Sequence, residues 1–269
     1  MVSNEVIWRL GMFFSVLILM QAWEISCPAR SSPLLRRFRW PGNVGLVVLS
    51  ALLAKLVLPM GVTGVAWYAQ QHGIGLFAHV ELSAVVTMII SVAALDCAIY
   101  WQHRLFHRVP TLWKLHRVHH ADCLVDTTTG FRFHPLEIVL SLLFKVVIVL
   151  LLGVPAEGVL IFEIMLNGFA LFNHANVRIP QRVDDRLAWV IITQRLHRIH
   201  HSQKPIETDS NFGFSVSWWD RVFGTYTARG YVSDEQLPIG LTSFPASRAQ
   251  ASLPSLLTMP FVSKEKRNQ

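Results

Sequence analysis

Charge is scarce in this sequence. Of 269 residues only 15% are charged and 52% are hydrophobic, with a mean hydropathy of +0.40. A soluble domain of that length needs more charge on its surface, so the ordinary soluble class is excluded. Cysteine is scarcer still. Cys27, Cys97 and Cys123 are an odd number with no CxxC spacing, which excludes a disulfide framework and a zinc ribbon. There is no CxxCH haem attachment, no GxGxxG dinucleotide turn, and no His-Glu-x-x-His or His-x-x-Glu-His zinc-protease motif. No basic-aromatic motif accompanies the net charge of +7, so an anionic membrane face, and not nucleic acid, is the expected counterpart of a pI near 9.7.

What is present in abundance is long apolar runs. Val6–Trp23, Asn43–Trp67 and Val80–Trp101 each reach the roughly 17–20 residues a membrane helix needs. Val6–Trp23 has a signal peptide's length without a basic leader or an A-x-A site, and is read as a retained anchor. A fourth block, Leu136–Phe172, is interrupted by Gly153-Val154-Pro155 and predicts a helical hairpin. Trp8, Trp23, Trp40, Trp67, Tyr68, Tyr100 and Trp101 mark the span ends, the level of the bilayer that amphipathic rings prefer. Of the 24 Lys and Arg, 21 fall on one predicted side: four between the first two spans, five in 104–133 and twelve after position 175. The positive-inside rule makes that side, with the C-terminus, cytoplasmic. Arg9, Lys55 and Lys145 are the three exceptions; Arg9 can snorkel from a span end. The expected architecture is therefore an all-α, multi-pass integral membrane protein. It has three N-terminal spans plus a hairpin, capped by a cytoplasmic histidine-rich helical domain. From about Gly230 the chain, rich in Ser, Pro and small residues, reads as a loosely ordered cytoplasmic tail ending in Lys264-Glu265-Lys266-Arg267.

Twelve histidines are present and eight fall in three clusters. His103 and His107 share a helix face at the end of the third span. His116-Arg117-Val118-His119-His120 returns as His197-Arg198-Ile199-His200-His201, and positions i, i+3 and i+4 again share a face. Eight imidazoles beside a membrane are costly unless something binds them. Two copies of a three-histidine element point to two metals, each held partly by one copy. Structural zinc takes only four ligands, so this number favours a binuclear centre. Imidazole suits iron, copper and zinc alike, and the ligand type does not choose among them. His134 and His174 stand alone, and a lone histidine more often satisfies a local hydrogen bond. His72 and His79, on the predicted outer side, are set aside as interfacial. Asp96 and Tyr100 lie on one helical stripe with His103 and His107, where a carboxylate could orient a metal-bound imidazole. Asp126, Asp184, Glu207 and Asp209 are further carboxylate candidates.

At these clusters the chain resembles the fatty acid hydroxylase and sterol desaturase superfamily. The resemblance runs from Asp96 to about Tyr226. It is carried by Asp96-x-x-x-Tyr100-Trp101-x-His103-Arg104-x-x-His107, the two HxxHH elements, Arg132-Phe133-His134-Pro135-Leu136-Glu137 and Asn173-His174. It continues through Glu207-Thr208-Asp209-Ser210-Asn211-Phe212-Gly213 and Trp219-Asp220-Arg221-x-Phe223-Gly224-Thr225-Tyr226. It implies a catalytic region over 96–228, containing the hairpin at about 136–172, between an N-terminal membrane region (1–95) and the tail (229–269). It further implies two iron ions, with O2 and two electrons used to hydroxylate or desaturate a lipid: sterol, fatty acyl or other. His134 and His174 join the other eight histidines as ligands or near-ligands, although this chain has a single histidine where relatives often carry a pair. With no haem or dinucleotide motif in the chain, an external reductase, ferredoxin or cytochrome must deliver the electrons. The competing classes are a zinc-dependent membrane hydrolase and a metal transporter, the latter needing ionisable ligands near mid-span.

Overall fold

A computed structural model describes residues 4–263; the basic stretch Lys264–Arg267 lies outside them. Among the described residues there are helices and isolated bridges but no strand. Five helical segments are long and apolar enough to cross a membrane, so the chain is a multi-pass integral membrane protein. They are α1 (Glu5–Ser26), α2 (Arg36–Val57) continued by α3 (Gly61–Gln71), α4 (Ala84–Arg108), α6 (Pro135–Leu152) and α7 (Ala156–His174). The short α5 (Pro110–His120), α8 (Gln181–Leu187), α9 (Gln194–His200), α10 (Pro205–Thr208), α11 (Trp218–Val222) and α12 (Leu253–Thr258) cap one end of this bundle.

The helix boundaries follow local chemistry. The Ser83 hydroxyl accepts from the Val86 amide at the start of α4. Pro110 and Pro135 occupy first turns, where a missing N–H costs nothing. The hairpin break expected at Gly153-Val154-Pro155 is the observed one: Gly153 takes φ +69, a left-handed helix stop, and Pro155 precedes α7. The second apolar run differs from expectation. It begins at Arg36 and breaks at 58–60, because Pro59 has no N–H to continue the ladder and restricts Leu58 before it.

α7 is the central helix, packing on α1, α3 and α4, while the large apolar side chains of α1 (Val6, Leu10, Phe14, Ile18) and α6 (Leu140, Leu143, Val147, Leu151) face outward as lipid-exposed surface. Charges inside the bundle are paired. Arg9 and Lys145, two of the exceptions to the charge asymmetry, converge on the buried Glu163, with Arg9 at 2.6 Å and also donating to Thr63. Arg9 is thus held by a partner instead of snorkelling outward. The chain after Gly230 is also not loose. Leu237, Phe244, Leu256 and Met259 are buried, and α12 packs on α2. Its apolar residues are interleaved with Ser, Pro and small residues, so no sustained period announces an element, yet they seal the capped end.

Candidate metal centre

Nine of the ten histidines singled out above converge at the capped end of the bundle, all of them buried. They form two groups. His103, His107, His116, His120 and His200 bring ligand atoms within 4.8 Å of one another, and so do His119, His174, His197 and His201. The repeated HxxHH elements explain the split. In α5 the i, i+4 pair His116 and His120 faces the first group and His119 the second. In α9 and its C-terminal residue the roles reverse, with His197 and His201 facing the second group and His200 the first. Each group therefore draws on both copies. The two adjoin closely, with the His120 and His201 rings stacked at 4.4 Å.

The donor chemistry fits a metal. In the second group Nε2 of His174 lies 3.1 Å from Nε2 of His119 and 2.8 Å from Nε2 of His197, which is itself 3.2 Å from Nε2 of His201. A neutral ring nitrogen is a donor or an acceptor, not both, so protons alone cannot satisfy a chain in which one nitrogen meets two others. Nitrogens ligating one ion at about 2.0–2.1 Å stand roughly 3 Å apart, close to the observed spacing. The Nε2 atoms of His120 and His200 are buried without a hydrogen-bond partner among the described residues. Burial, reinforced by neighbouring imidazoles, holds His119, His120, His197, His200 and His201 well below the ordinary imidazole range. They are neutral, the form that offers a lone pair.

Outward-facing nitrogens are held by the fold, mostly in the first group. His103 Nδ1 bonds the Phe212 carbonyl and His200 Nδ1 the Ser210 carbonyl, each at 2.8 Å. His116 Nδ1 meets Glu137 Oε1 at 2.6 Å, His107 Nδ1 meets Asp209 Oδ1 at 3.3 Å, and His174 Nδ1 bonds Ala170 O at 2.6 Å. Each contact orients a ring and raises its basicity toward a metal. The segment Glu207–Gly213 is therefore an orienting loop. Asn211, at φ +51, holds it through bonds to Leu196 O and Thr227 O.

Asp96 and Tyr100 do not touch the imidazoles. Asp96 accepts from Trp219 Nε1 at 2.8 Å. Tyr100 bonds Thr225, which donates to Asp220; Asp220 in turn accepts from the Phe212 and Gly213 amides. Tyr100, Thr225 and Asp220 are thus connected to the backbone of Phe212, whose carbonyl is the acceptor of His103, whereas the bond from Trp219 does not link Asp96 to it. Burial pushes the Asp220 carboxyl up to about 6. Asp220, Glu137 and the Phe212 carbonyl were not assigned roles from sequence: the first two sit inside quoted motifs, and a backbone acceptor has no residue signature. Among the carboxylate candidates only Asp209 reaches an imidazole. Asp126 binds Arg39, Asp184 binds Arg195, and Glu207 accepts from Ser202. His134 joins neither group. It is the N-cap of α6, its Nδ1 accepting from the Leu136 amide at 3.2 Å and its Nε2 lying 3.2 Å from Leu257 O.

An apolar cavity of about 300 Å³ opens from the first group into the bundle, reaching from His103, His116 and Glu137 past Phe133 and Ile99 to Lys145 and Asn167.

A family model described as fatty acid hydroxylase matches residues 85–225. An ornithine lipid hydroxylase of Rhizobium tropici is 27% identical over 139 residues, 52% of this chain and 41% of that protein. Alkylglycerol monooxygenase of Xenopus tropicalis is 27% identical over 156 residues, 58% of this chain and 33% of the relative. A Delta(7)-sterol 5(6)-desaturase of Aspergillus fumigatus is 23% identical over 175 residues, covering 65% and 49%. The chain thus spans less than half the length of these relatives. No solved structure matches it.

Proposed function

The chain belongs to the fatty acid hydroxylase family, and from that premise we propose that it is a membrane-bound di-iron oxygenase that hydroxylates or desaturates a lipid. The observation that carries this reading is a pair of adjoining, buried, all-histidine groups, the first of which opens onto an apolar cavity between membrane helices. The first ion would be held by His103, His107, His116, His120 and His200, the second by His119, His174, His197 and His201. Bound there, a pair of iron ions would supply the oxygen and electron chemistry that breaks a C–H bond.

The remaining work belongs to the chain. Glu137, Asp209 and the carbonyls of Phe212, Ser210 and Ala170 hold five imidazoles by their outward nitrogens, so no ring must turn when an ion enters. Phe133 stacks on His119 with rings 4.4 Å apart, and Phe212 packs edge-on against His103, His107 and His200. These rings keep water from the reacting carbon. The cavity lets a lipid approach from within the bilayer.

The 21 basic residues on one side of the spans support a cytoplasmic position for the metal groups and the C-terminus. An external reductase, ferredoxin or cytochrome would deliver two electrons from that side, with O2 as cosubstrate. In this reading the catalytic region is 96–228, the stretch that carries the motifs. Histidine groups at the bundle end, and not midway along the spans, weigh against metal transport.

Two measurements test the reading: the metal content and O2 dependence of the purified protein, and total lipids of cells with and without it compared by mass. A product heavier by one oxygen means hydroxylation, and one lighter by two hydrogens means desaturation. Stoichiometric zinc with product formed in the absence of O2 overturns the reading in favour of a hydrolase.

A further inference from the structure

Besides Asn167, three uncharged polar side chains, Ser50, Gln102 and Ser141, interrupt the apolar cavity that opens from the first histidine group. Gln102 precedes His103 in α4, and its Nε2 donates to Ser141 Oγ at 2.8 Å. Ser141 stands one turn beyond Glu137 in α6, and Ser50 lines the cavity from α2. Two of their atoms are left over. Gln102 Oε1 and Ser50 Oγ are buried with no hydrogen-bond partner among the described residues, and Ser50 as a whole is only 4% exposed. An unmade hydrogen bond in a buried site costs more than a made one contributes, so a pair of orphans on one cavity needs an explanation.

Packing offers none. Apolar side chains at 50 and 102 would line a lipid cavity without penalty. The geometry points to a specificity device. We propose that Gln102 and Ser50 bind an uncharged hydrogen-bond donor on the lipid, a hydroxyl or an amide N–H, and thereby set which carbon faces His103 and His116. This rests on the lipid-oxidation reading above.

The direction of the bond follows from the partners. One N–H of Gln102 is given to Ser141 and its carbonyl oxygen is the atom left without a partner, and a carbonyl only accepts. Ser50 can then donate to the same oxygen on the lipid or accept a second proton. The absence of negative charge follows as well. The ammonium in the lining is engaged, Lys145 by Glu163, so no cation is left to hold a phosphate or a free carboxylate. Glu137 meets His116 through Oε1 only; its buried Oε2, with no hydrogen-bond partner among the described residues, is a further acceptor for the same donor. A cationic donor would lose its hydration in a largely apolar lining, which favours an uncharged one. Because Gln102 adjoins a candidate ligand in the same helix, a group held there lies within a turn of the metal-facing imidazoles. The oxidised position would then be a few bonds from the donor and not far along a chain.

The test uses the full chain, loaded with iron, in nanodiscs. Two probe pairs of matched length separate the two donor types: hexadecan-1-ol against hexadecyl methyl ether, and N-hexadecylacetamide against its N-methyl form. Binding is measured by displacement of a fluorescent lipid. At least one donor probe should bind about 3- to 10-fold tighter than its blocked partner, the range of one net hydrogen bond. Gln102→Leu and Ser50→Ala should each shrink that ratio toward one while iron content stays unchanged. Ser141→Ala, which frees the Gln102 amide to turn, should weaken it less. Equal affinity within both pairs, a preference for the blocked probes, no binding of either donor, or a ratio that survives Gln102→Leu overturns the proposal. The oxidation reading fails separately, if wild-type protein that binds the donor probes gives no O2-dependent product from any cellular lipid.

Discussion

His134 and His200 look alike in sequence, each a histidine within a motif, yet they have opposite surroundings. His200 points Nε2 into a group of five imidazoles while Ser210 O holds its other nitrogen. Both nitrogens of His134 are near backbone groups, one of them capping α6. His200→Ala should lower bound iron from two per chain toward one and abolish lipid oxidation. His134→Ala should leave iron at two per chain and cost only about 1 kcal/mol, the usual worth of a helix cap. Metal analysis alongside thermal unfolding checks both. The eight clustered histidines were legible because i, i+3 and i+4 spacing is a helical signature. His174 was not legible from spacing, and only the resemblance carried by Asn173-His174 points to it; in the structure α7 ends against α9 and brings this single imidazole beside His197, with rings 4.1 Å apart. Phe212 and Ser210 contribute carbonyls, which any residue carries, so no sequence reading could have selected them.

Among the elements, the turn Thr127–Phe131 packs tightly on helix α7. A Cβ at Gly130 would sit 2.6 Å from the Ala170 carbonyl oxygen, well inside contact distance. That same oxygen orients His174. Gly130→Ala must therefore push α7 away at the point where it positions a ring of the second group. The expected result is a loss of about 1–3 kcal/mol of stability, the usual cost of overpacking, with iron lost from the second group before the first. Iron retention during stepwise chelation, compared with wild type, is the measurement. The hairpin and the long spans were readable from apolar length and from Gly153 and Pro155. The break at Pro59 was missed because Leu58 and Met60 on either side keep the run apolar. The order after Gly230 was missed because its contacts are with α2 and α5, far away in sequence.

At the scale of the whole molecule, the charge asymmetry conceals a structural core. Arg39, counted among the basic residues of one side, is 1% exposed. It bonds both oxygens of Asp122 at 2.7 and 2.8 Å and Asp126 at 2.7 Å, tying α2 to the loop that follows the first HxxHH element. Arg39 holds the Asp122 carboxyl well below the usual range, with Arg132 adding to the effect. Replacing the arginine alone strands two buried carboxylates. Arg39→Met should cost about 3–5 kcal/mol, and adding Asp122→Asn and Asp126→Asn should restore part of it. Tryptophan fluorescence during thermal unfolding in detergent would report both changes.

Membrane embedding and the presence of clustered imidazoles were determined by the sequence itself, since apolar length and helical spacing are local properties that survive without knowing the neighbours. Which histidine joins which group was decided only in three dimensions, where α4, α5, α7 and α9 meet. The two HxxHH copies read as two separate half-sites along the chain. Packed against each other, each divides its three rings between both groups, because a ring's destination depends on the helix facing it.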